Sequence, residues 1–326
     1  MKTKITYSLL AAAAACGFAQ AQTTAYTTPV GYTTQALAPN QFNLIGVTLQ
    51  QPSIAAGVLD LESASSVTDS QIDFTALLTP GATYILELPN GVIQEVTSWS
   101  GGALTTPENV TGSVTPGVTT YNLRRADTIG SIFGATNSAG LTASVDGDLT
   151  TCDIIQIYNG SGFDTIYYFN DGAGTEGWFD DANNPAVDKP IIYGDGVFVK
   201  RVAGSNISLV IDGEVKKVAT AGVLATGFNY LGGVAPVGST LASSGLSAYL
   251  TPSADGDLTT CDTVLLPSGG AYTTCYYFDD GAGTTGWFDD ANNPAEAFEI
   301  TPGFLILNVG GPAPYTLAVP STYGSL

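Results

Sequence analysis

Apolar residues along this chain fall in short runs broken by Gly, Pro, Asn or Asp, and seldom follow the three-and-four spacing of an amphipathic helix. Residues 42–45, 83–88 and 92–99 read as strands, the last two joined by the turn signal Pro89-Asn90-Gly91. Residues 53–61 suit a short helix or a loop. Further on, 154–158 and 163–169 flank Asn159-Gly-Ser-Gly162 as a hairpin, and 196–200 and 207–211 follow as short apolar runs. Residues 263–266, 272–278, 304–309 and 315–319 repeat that series. Phe304-Leu-Ile-Leu307 is apolar at every position, which predicts burial on both faces. Short helical turns are expected within 131–144 and 239–250. The pattern therefore predicts an all-β chain of small antiparallel β-sandwich or barrel-like modules.

Two of those modules are copies. Asp171-Gly-Ala-Gly-Thr-Glu-Gly-Trp178-Phe-Asp-Asp-Ala-Asn-Asn-Pro-Ala186 returns almost letter for letter from Asp280 to Ala295, around Trp287. Gly147-Asp-Leu-Thr-Thr-Cys-Asp153 returns as Gly256-Asp-Leu-Thr-Thr-Cys-Asp262 at the same displacement. A repeat of this length is a domain-sized unit. Tyr121-Asn-Leu123 and Phe228-Asn-Tyr230 open the two copies, and Phe42-Asn-Leu44 is a fainter form of the same opening. The expected division is a signal peptide at 1–21, an N-terminal β module at 22–120, and repeat modules at 121–227 and 228–326.

The N-terminus has the three regions of an export signal: Lys2 and Lys4, an apolar core, and Ala19-Gln20-Ala21 before a cleavage point. An acylated Cys16 is the alternative. The core is too short to span a bilayer, which takes roughly 20 apolar residues. A secreted, extracellular or outer-surface location is expected, with the periplasm as a further compartment. The formal net charge is −20 and His is absent. Such a surface repels polyanions, which argues against nucleic acid as a partner. Neutral glycans and self-association remain as partners.

Export permits disulfides. Cys261 and Cys275 lie on either side of Pro267-Ser-Gly-Gly270 and are expected to bridge a hairpin, for ~3 kcal/mol in the chain-entropy account. Cys152 then stays a lone thiol, a small buried hydrophobe in most such cases.

Gly194-Asp-Gly-Val-Phe-Val-Lys-Arg201, Leu209-Val-Ile-Asp-Gly-Glu-Val215 and Gly227-Phe-Asn229 carry a resemblance. So do Arg125-Ala-Asp-Thr-Ile-Gly-Ser-Ile-Phe-Gly134 and Tyr167-Tyr-Phe followed by Gly177-Trp178. The chain resembles a family of secreted bacterial all-β repeat proteins of unassigned function. The resemblance implies export and a repeat architecture, and supplies no activity, cofactor or site residue. Pro302-Gly-Phe-Leu-Ile-Leu-Asn308 lacks the basic pair matching Lys200-Arg201.

Without His, Ser-His-Asp and Cys-His nucleophiles and His-ligated zinc are excluded. Three candidates for chemistry remain. Hard cations such as Ca2+ take several oxygen ligands from a flexible loop. Asp171, Asp180, Asp181 and Asn183 supply them in the first copy, and Asp280, Asp289, Asp290 and Asn292 in the second. A second acidic run holds Asp146, Asp148 and Asp153, repeated at Asp255, Asp257 and Asp262; Asx-turns explain both without an ion. Trp178 and Trp287, with Tyr168 and Tyr277, form a sugar-stacking platform or else a buried anchor. The adjacent acids Asp180-Asp181 and Asp289-Asp290 offer glycosidase-like pairs, but adjacent acids in such segments mostly cap turns. The expectation is a secreted, non-catalytic repeat protein of the cell surface, envelope or matrix. A glycan-binding protein is the alternative and a polysaccharide hydrolase the third reading.

Overall fold

The computed structural model describes residues 29–319 and Tyr323. The expected signal at 1–21 and Cys16 lie outside the described residues. Within them the chain is almost all β. It begins with β1 (Val30–Leu37) and β2 (Gln41–Gly46). A compact segment then contributes β3 (Ser53–Val58), β4 (Leu61–Ser63), β5 (Ser66–Thr68), α1 (Phe74–Leu77), β6 (Tyr84–Glu87), β7 (Ile93–Val96), β8 (Ser98–Ser100), β9 (Ala103–Thr105) and β10 (Thr120–Arg125). Next come β11 (Asp127–Thr128), α2 (Ile129–Phe133), β12 (Ile154–Tyr158), β13 (Phe163–Asn170), β14 (Glu176–Asp180), β15 (Pro190–Ile191), β16 (Gly194–Arg201) and β17 (Ile207–Glu214). The second copy supplies β18 (Thr220–Leu224), β19 (Gly227–Gly232), a 3-10 turn (Leu246–Ala248), β20 (Thr263–Ser268), β21 (Ala271–Asp279), β22 (Thr285–Asp289), β23 (Gly303–Asn308) and β24 (Ala313–Leu317).

One ten-stranded sheet runs through both copies in the order β14-β13-β12-β16-β19-β23-β20-β21-β22, with β2 also paired to β16. The arrangement β14-β13-β12-β16-β2 is thus matched by β22-β21-β20-β23-β19. Side chains keep the same equivalence. Asn43 exchanges hydrogen bonds with Ala38 and donates Nδ2–H to the Val199 carbonyl of β16. Asn229 does the same with Ala225 and the Ile306 carbonyl of β23. Each copy also carries a two-stranded ribbon, β1–β17 in the first and β18–β24 in the second. The Phe42-Asn-Leu motif therefore lies on the second strand of the first repeat, after β1, and residues 53–125 are an insertion between that strand and the rest of the repeat. Residues 30–46 pair with partners beyond residue 121, because the Asn43 amide and the β2 backbone find their acceptors on β16.

Residues 53–58, expected as helix or loop, form a strand because β10 offers an antiparallel partner from Thr120 to Arg124. The helix expected within 131–144 starts earlier and is short. Thr128 caps it and Ser131 reciprocates, a capping box that fixes its start, and Gly134 at φ 85° ends it. The second copy keeps the Thr240–Ser243 hydrogen bonds of this box.

Period-two alternation in the sheet turns Ile155 and Ile157 of β12 and Val197 and Val199 of β16 inward. They pack with Leu37 of β1, Leu209 and Ile211 of β17, and Ile129 and Phe133 of α2. The second copy buries Val264, Phe304 and Ile306 against Leu224, Tyr315 and Leu317 in the same way. The insertion has a separate core of Leu59, Val67, Phe74, Leu86, Leu104 and Leu123.

The expected Cys261–Cys275 bridge is absent: Cys152, Cys261 and Cys275 are all free and buried. Cys275 lies opposite Val264 and points into the second repeat's core beside Trp287, at the position held by Ile166 in the first. Cys261 precedes β20 and sits by Ser253, and its counterpart Cys152 packs with Ile154 and Tyr167 outside the main core. Cys275 lies within the second repeat's core and Cys261 outside it, so each serves as a small buried group. Burial, with Asp289 and Asp290 nearby, pushes the Cys275 thiol up to about 12. We expect a thiol reagent to leave all three unmodified in the native chain and, after denaturation, to titrate three in a chain lacking residues 1–21 or four in one that keeps Cys16. The same melting temperature with and without reductant is the companion result; a reductant-dependent fall would restore the bridge.

Candidate functional site

The repeated tryptophans are anchors. Trp178 and Trp287 are each 2% exposed, and Trp178 Nε1 donates to the Gly134 carbonyl at 2.8 Å. Tyr168 is buried edge-on against Trp178, and Tyr277 makes the same contact with Trp287. With both indoles inside, no stacking platform is offered at these loops, because burial of an aromatic in a small β core outweighs its display.

The acidic loops spend their oxygens on the backbone. Asp171 accepts from the Ala173 and Thr175 N–H groups, and Asp280 from Ala282 and Thr284. Asp180 accepts from the N–H groups of Ala182 and Asn184, and Asp289 from those of Ala291 and Asn293. Asn183 and Asn292 take left-handed backbone conformations, and their Oδ1 atoms accept from the Tyr167 and Tyr276 hydroxyls. Asp181 and Asp290 donate their backbone N–H groups to Thr165 and Thr274. The four residues of each set do not converge. Asn170, next to Asp171, pairs with Glu176, whereas Asp180 pairs with Ile166, so the two loops sit at opposite ends of β14, ~13 Å apart along the strand. Of the second acidic run, Asp153 turns inward onto Arg201. Among the described residues no group of three or more acidic or Cys side chains is arranged to hold a metal ion.

Hydrogen bonds to the charged form hold the carboxyls of Asp148, Asp171, Asp180, Asp257, Asp280 and Asp289 below the ordinary Asp value of 3.8. Lowered folded-state values mean a stabilisation fully present above 3.8 and lost as pH falls through the lower values. We expect these six carboxyls to make the melting temperature fall below about pH 4, whereas Asp195, raised to about 6 by burial, lowers it as pH rises from about 4 to about 6. Millimolar calcium should leave it unchanged at neutral pH, since the loops are already closed by their own hydrogen bonds; a rise would restore the ion.

A different surface has the shape of a ligand site. A cleft of 910 Å³ opens between β2 of the first repeat and the β20–β21 hairpin of the second. Its aromatic wall comprises Phe42, Phe163, Phe198, Tyr230 and Tyr272. Gln41, Gln156, Asn40 and Ser268 supply amide and hydroxyl groups, and none of the described residues lining it is Asp, Glu, Lys or Arg.

The duplication explains why the cleft is open. Where β16 meets β19 the backbones touch: a methyl group on Gly46 would strike the Pro302 carbonyl and Gly232, and one on Gly232 would strike the Asp195 carbonyl. This approach brings the outer face of one repeat's strands onto the other's. Tyr230 of β19 packs on Tyr158, Phe163 and Phe198 with ring centroids 5.0–5.6 Å apart and fills that half of the junction. In the equivalent half, Leu44 replaces Tyr230, Pro267 replaces Tyr158 and Leu305 replaces Phe198. Only Tyr272 matches an aromatic, Phe163. The smaller side chains leave the void.

Burial, with Tyr158 nearby, raises the Tyr230 phenol, and burial, with Tyr230 nearby, raises that of Tyr272, so both are neutral hydroxyls at physiological pH. None of the aromatics lining the cleft was a candidate on sequence grounds. The sequence predicts burial on both faces for residues 304–307 of β23 and marks 196–200 of β16 only as a short apolar run. In Gly196-Val-Phe-Val-Lys200 one face is core and the other face, Phe198, lines the cleft.

No helix among the described residues is long and apolar enough to cross a membrane. No family model, curated protein or solved structure matches the chain.

Proposed function

We propose that the chain is a secreted, non-catalytic repeat protein of the cell surface, envelope or extracellular matrix, and that it works by holding an uncharged ligand in the cleft between its repeats. The observation that carries this reading is the cleft lining. It has aromatic faces, amides and hydroxyls, and no side chain able to act as a charged acid or base at neutral pH. A hydroxyl such as Ser268 has no neighbouring His to activate it, because the chain contains none.

The hydrolase reading loses support from the same geometry. Glycoside hydrolysis needs one carboxyl with a raised pKa across a cleft from a second. Asp180 and Asp289 have lowered values and are tied into turns by Asn184 and Asn293. Fractionation of the native cells tests the location: recovery in medium, outer envelope or a polymer fraction is expected, and recovery with cytoplasmic enzymes would overturn it.

A further inference from the structure

Resting on that binding reading, we infer that the cleft at the junction of the repeats takes a neutral glycan chain, stacked on Phe42 and Tyr272 and oriented by the Gln41 and Gln156 amides. The acidic loops around Trp178 and Trp287 take no part.

Charge selects the ligand class first. A chain of net charge −20 has left this one concave surface without an acidic or basic side chain. An anionic ligand would meet the repulsion of the whole molecule and no local cation to offset it. A cationic ligand would lose hydration without a carboxylate to replace it. A neutral ligand meets neither cost.

The wall then selects among neutral ligands. Phe42 and Tyr272 are 47% and 39% exposed, large apolar rings held out on the two opposing repeats. Aromatic faces carry negative quadrupole density, which suits the positively polarised C–H face of a pyranose ring. A sugar also needs partners for its hydroxyls at the ring edge. Gln41 Nε2 donates to Asn43 Oδ1 at 3.3 Å, and Gln156 Nε2 donates to Thr165 Oγ1 at 3.3 Å. Each amide keeps a second N–H and its carbonyl oxygen for a ligand, a donor–acceptor pair matched to adjacent hydroxyls. A volume of 910 Å³ lies within the range of ligand-sized clefts and accommodates several sugar rings.

The test is isothermal titration of the purified chain with linear β-1,4-linked hexaoses of glucose, xylose and mannose. Hexagalacturonate serves as the anionic control and a proline-rich decapeptide as the peptide control. Binding of at least one neutral hexaose is expected, with Phe42→Ala and Tyr272→Ala each weakening it by about tenfold, the loss of one stacked ring. Phe228 is the exposed counterpart of Phe42 in the second repeat and lies outside the cleft, so Phe228→Ala should leave affinity unchanged. Matching melting temperatures confirm that the variants fold. Three results overturn the inference: no neutral hexaose bound at millimolar concentration, hexagalacturonate bound equally well, or affinity indifferent to Phe42 and Tyr272. Binding of the decapeptide in place of any hexaose also overturns it, while leaving an uncharged-ligand cleft intact. Shortened hexaose after long incubation would instead sink the non-catalytic reading, and a Phe42-dependent affinity would still support the glycan.

Discussion

Replacing Arg201 with alanine should destabilise the first repeat by about 3–5 kcal/mol, measured as the shift in urea unfolding followed by Trp178 fluorescence. Arg201 and Asp153 form an ion pair at 2.9 Å with side chains 3% and 0% exposed. The guanidinium also donates to the carbonyls of Leu37, Ser205 and Ala203, tying β1 and the turn after β16 to one side chain. Asp153 in turn accepts from the Thr142 and Val202 N–H groups. Truncation removes every donor on the Arg side and leaves a buried carboxylate with backbone partners alone. The second repeat supplies the control. Asn308 stands where Arg201 stands and donates to the carbonyls of Leu224 and Gly311, while Asp262 accepts from Thr251 and Val309. A buried Asp with two N–H partners is therefore compatible with the module. Arg201→Asn should lose clearly less than Arg201→Ala, and equal losses would mean that the Leu37 carbonyl contact matters little.

Glu87→Ala should cost a comparable ~3–5 kcal/mol and act on the joint between the insertion and the first repeat. Glu87, on β6, accepts from Lys216 at 2.6 Å and from Gln50 at 2.9 Å, and lies 3.5 Å from the Arg124 guanidinium. Arg124, on β10, pairs in addition with Glu214 of β17. Two cations and two anions are thus buried where the two bodies meet, and removing one anion leaves an uncompensated positive charge. Burial already lowers the Lys216 ammonium below its ordinary 10.5, with Glu87 opposing that shift. Limited proteolysis should reveal faster cleavage near residues 51–53 and 125–127 in the variant. Replacing both Glu87 and Lys216 by Met should recover much of the loss, since an apolar pair avoids the desolvation of both charges. A double variant no better than the single one would mean that the charges are net stabilising as a pair.

The all-β architecture was readable from glycine-punctuated apolar runs, because those runs are what half-buried strands require. The hairpins at 154–169 and 263–278 fell where the turn residues put them. The repeat was readable too, since duplicated letters need no physics. Its completion by β1 and β2 was not, because the motif Phe42-Asn-Leu44 is short and the insertion separates it from its partners by more than a domain's worth of chain. The buried role of Arg201 was equally hidden: a Lys-Arg pair at a strand end reads as solvated charge until Asp153 is placed beneath it. The cysteines misled for a related reason. Spacing across a turn says that two thiols are near in sequence, but whether they face each other depends on which cluster each side chain enters. The cleft was least legible of all, because it belongs to neither repeat alone and exists through three substitutions of size between otherwise equivalent positions.

The insertion has a consequence for the order in which the molecule assembles. The second repeat runs unbroken from β18 to β24, so its strands meet across modest stretches of chain. The first repeat cannot close until β16 and β17 are available, because Asn43 bonds Val199 at a sequence separation of 156 and Leu37 awaits Arg201 at one of 164. Loop-closure entropy grows only slowly with length, but contacts between distant segments slow the search for the native pairing. A chain emerging from its N-terminus thus holds two strands in waiting while the inserted body, with a core of its own, condenses between them. The last-made repeat matures quickly, and the first-made is the last to finish.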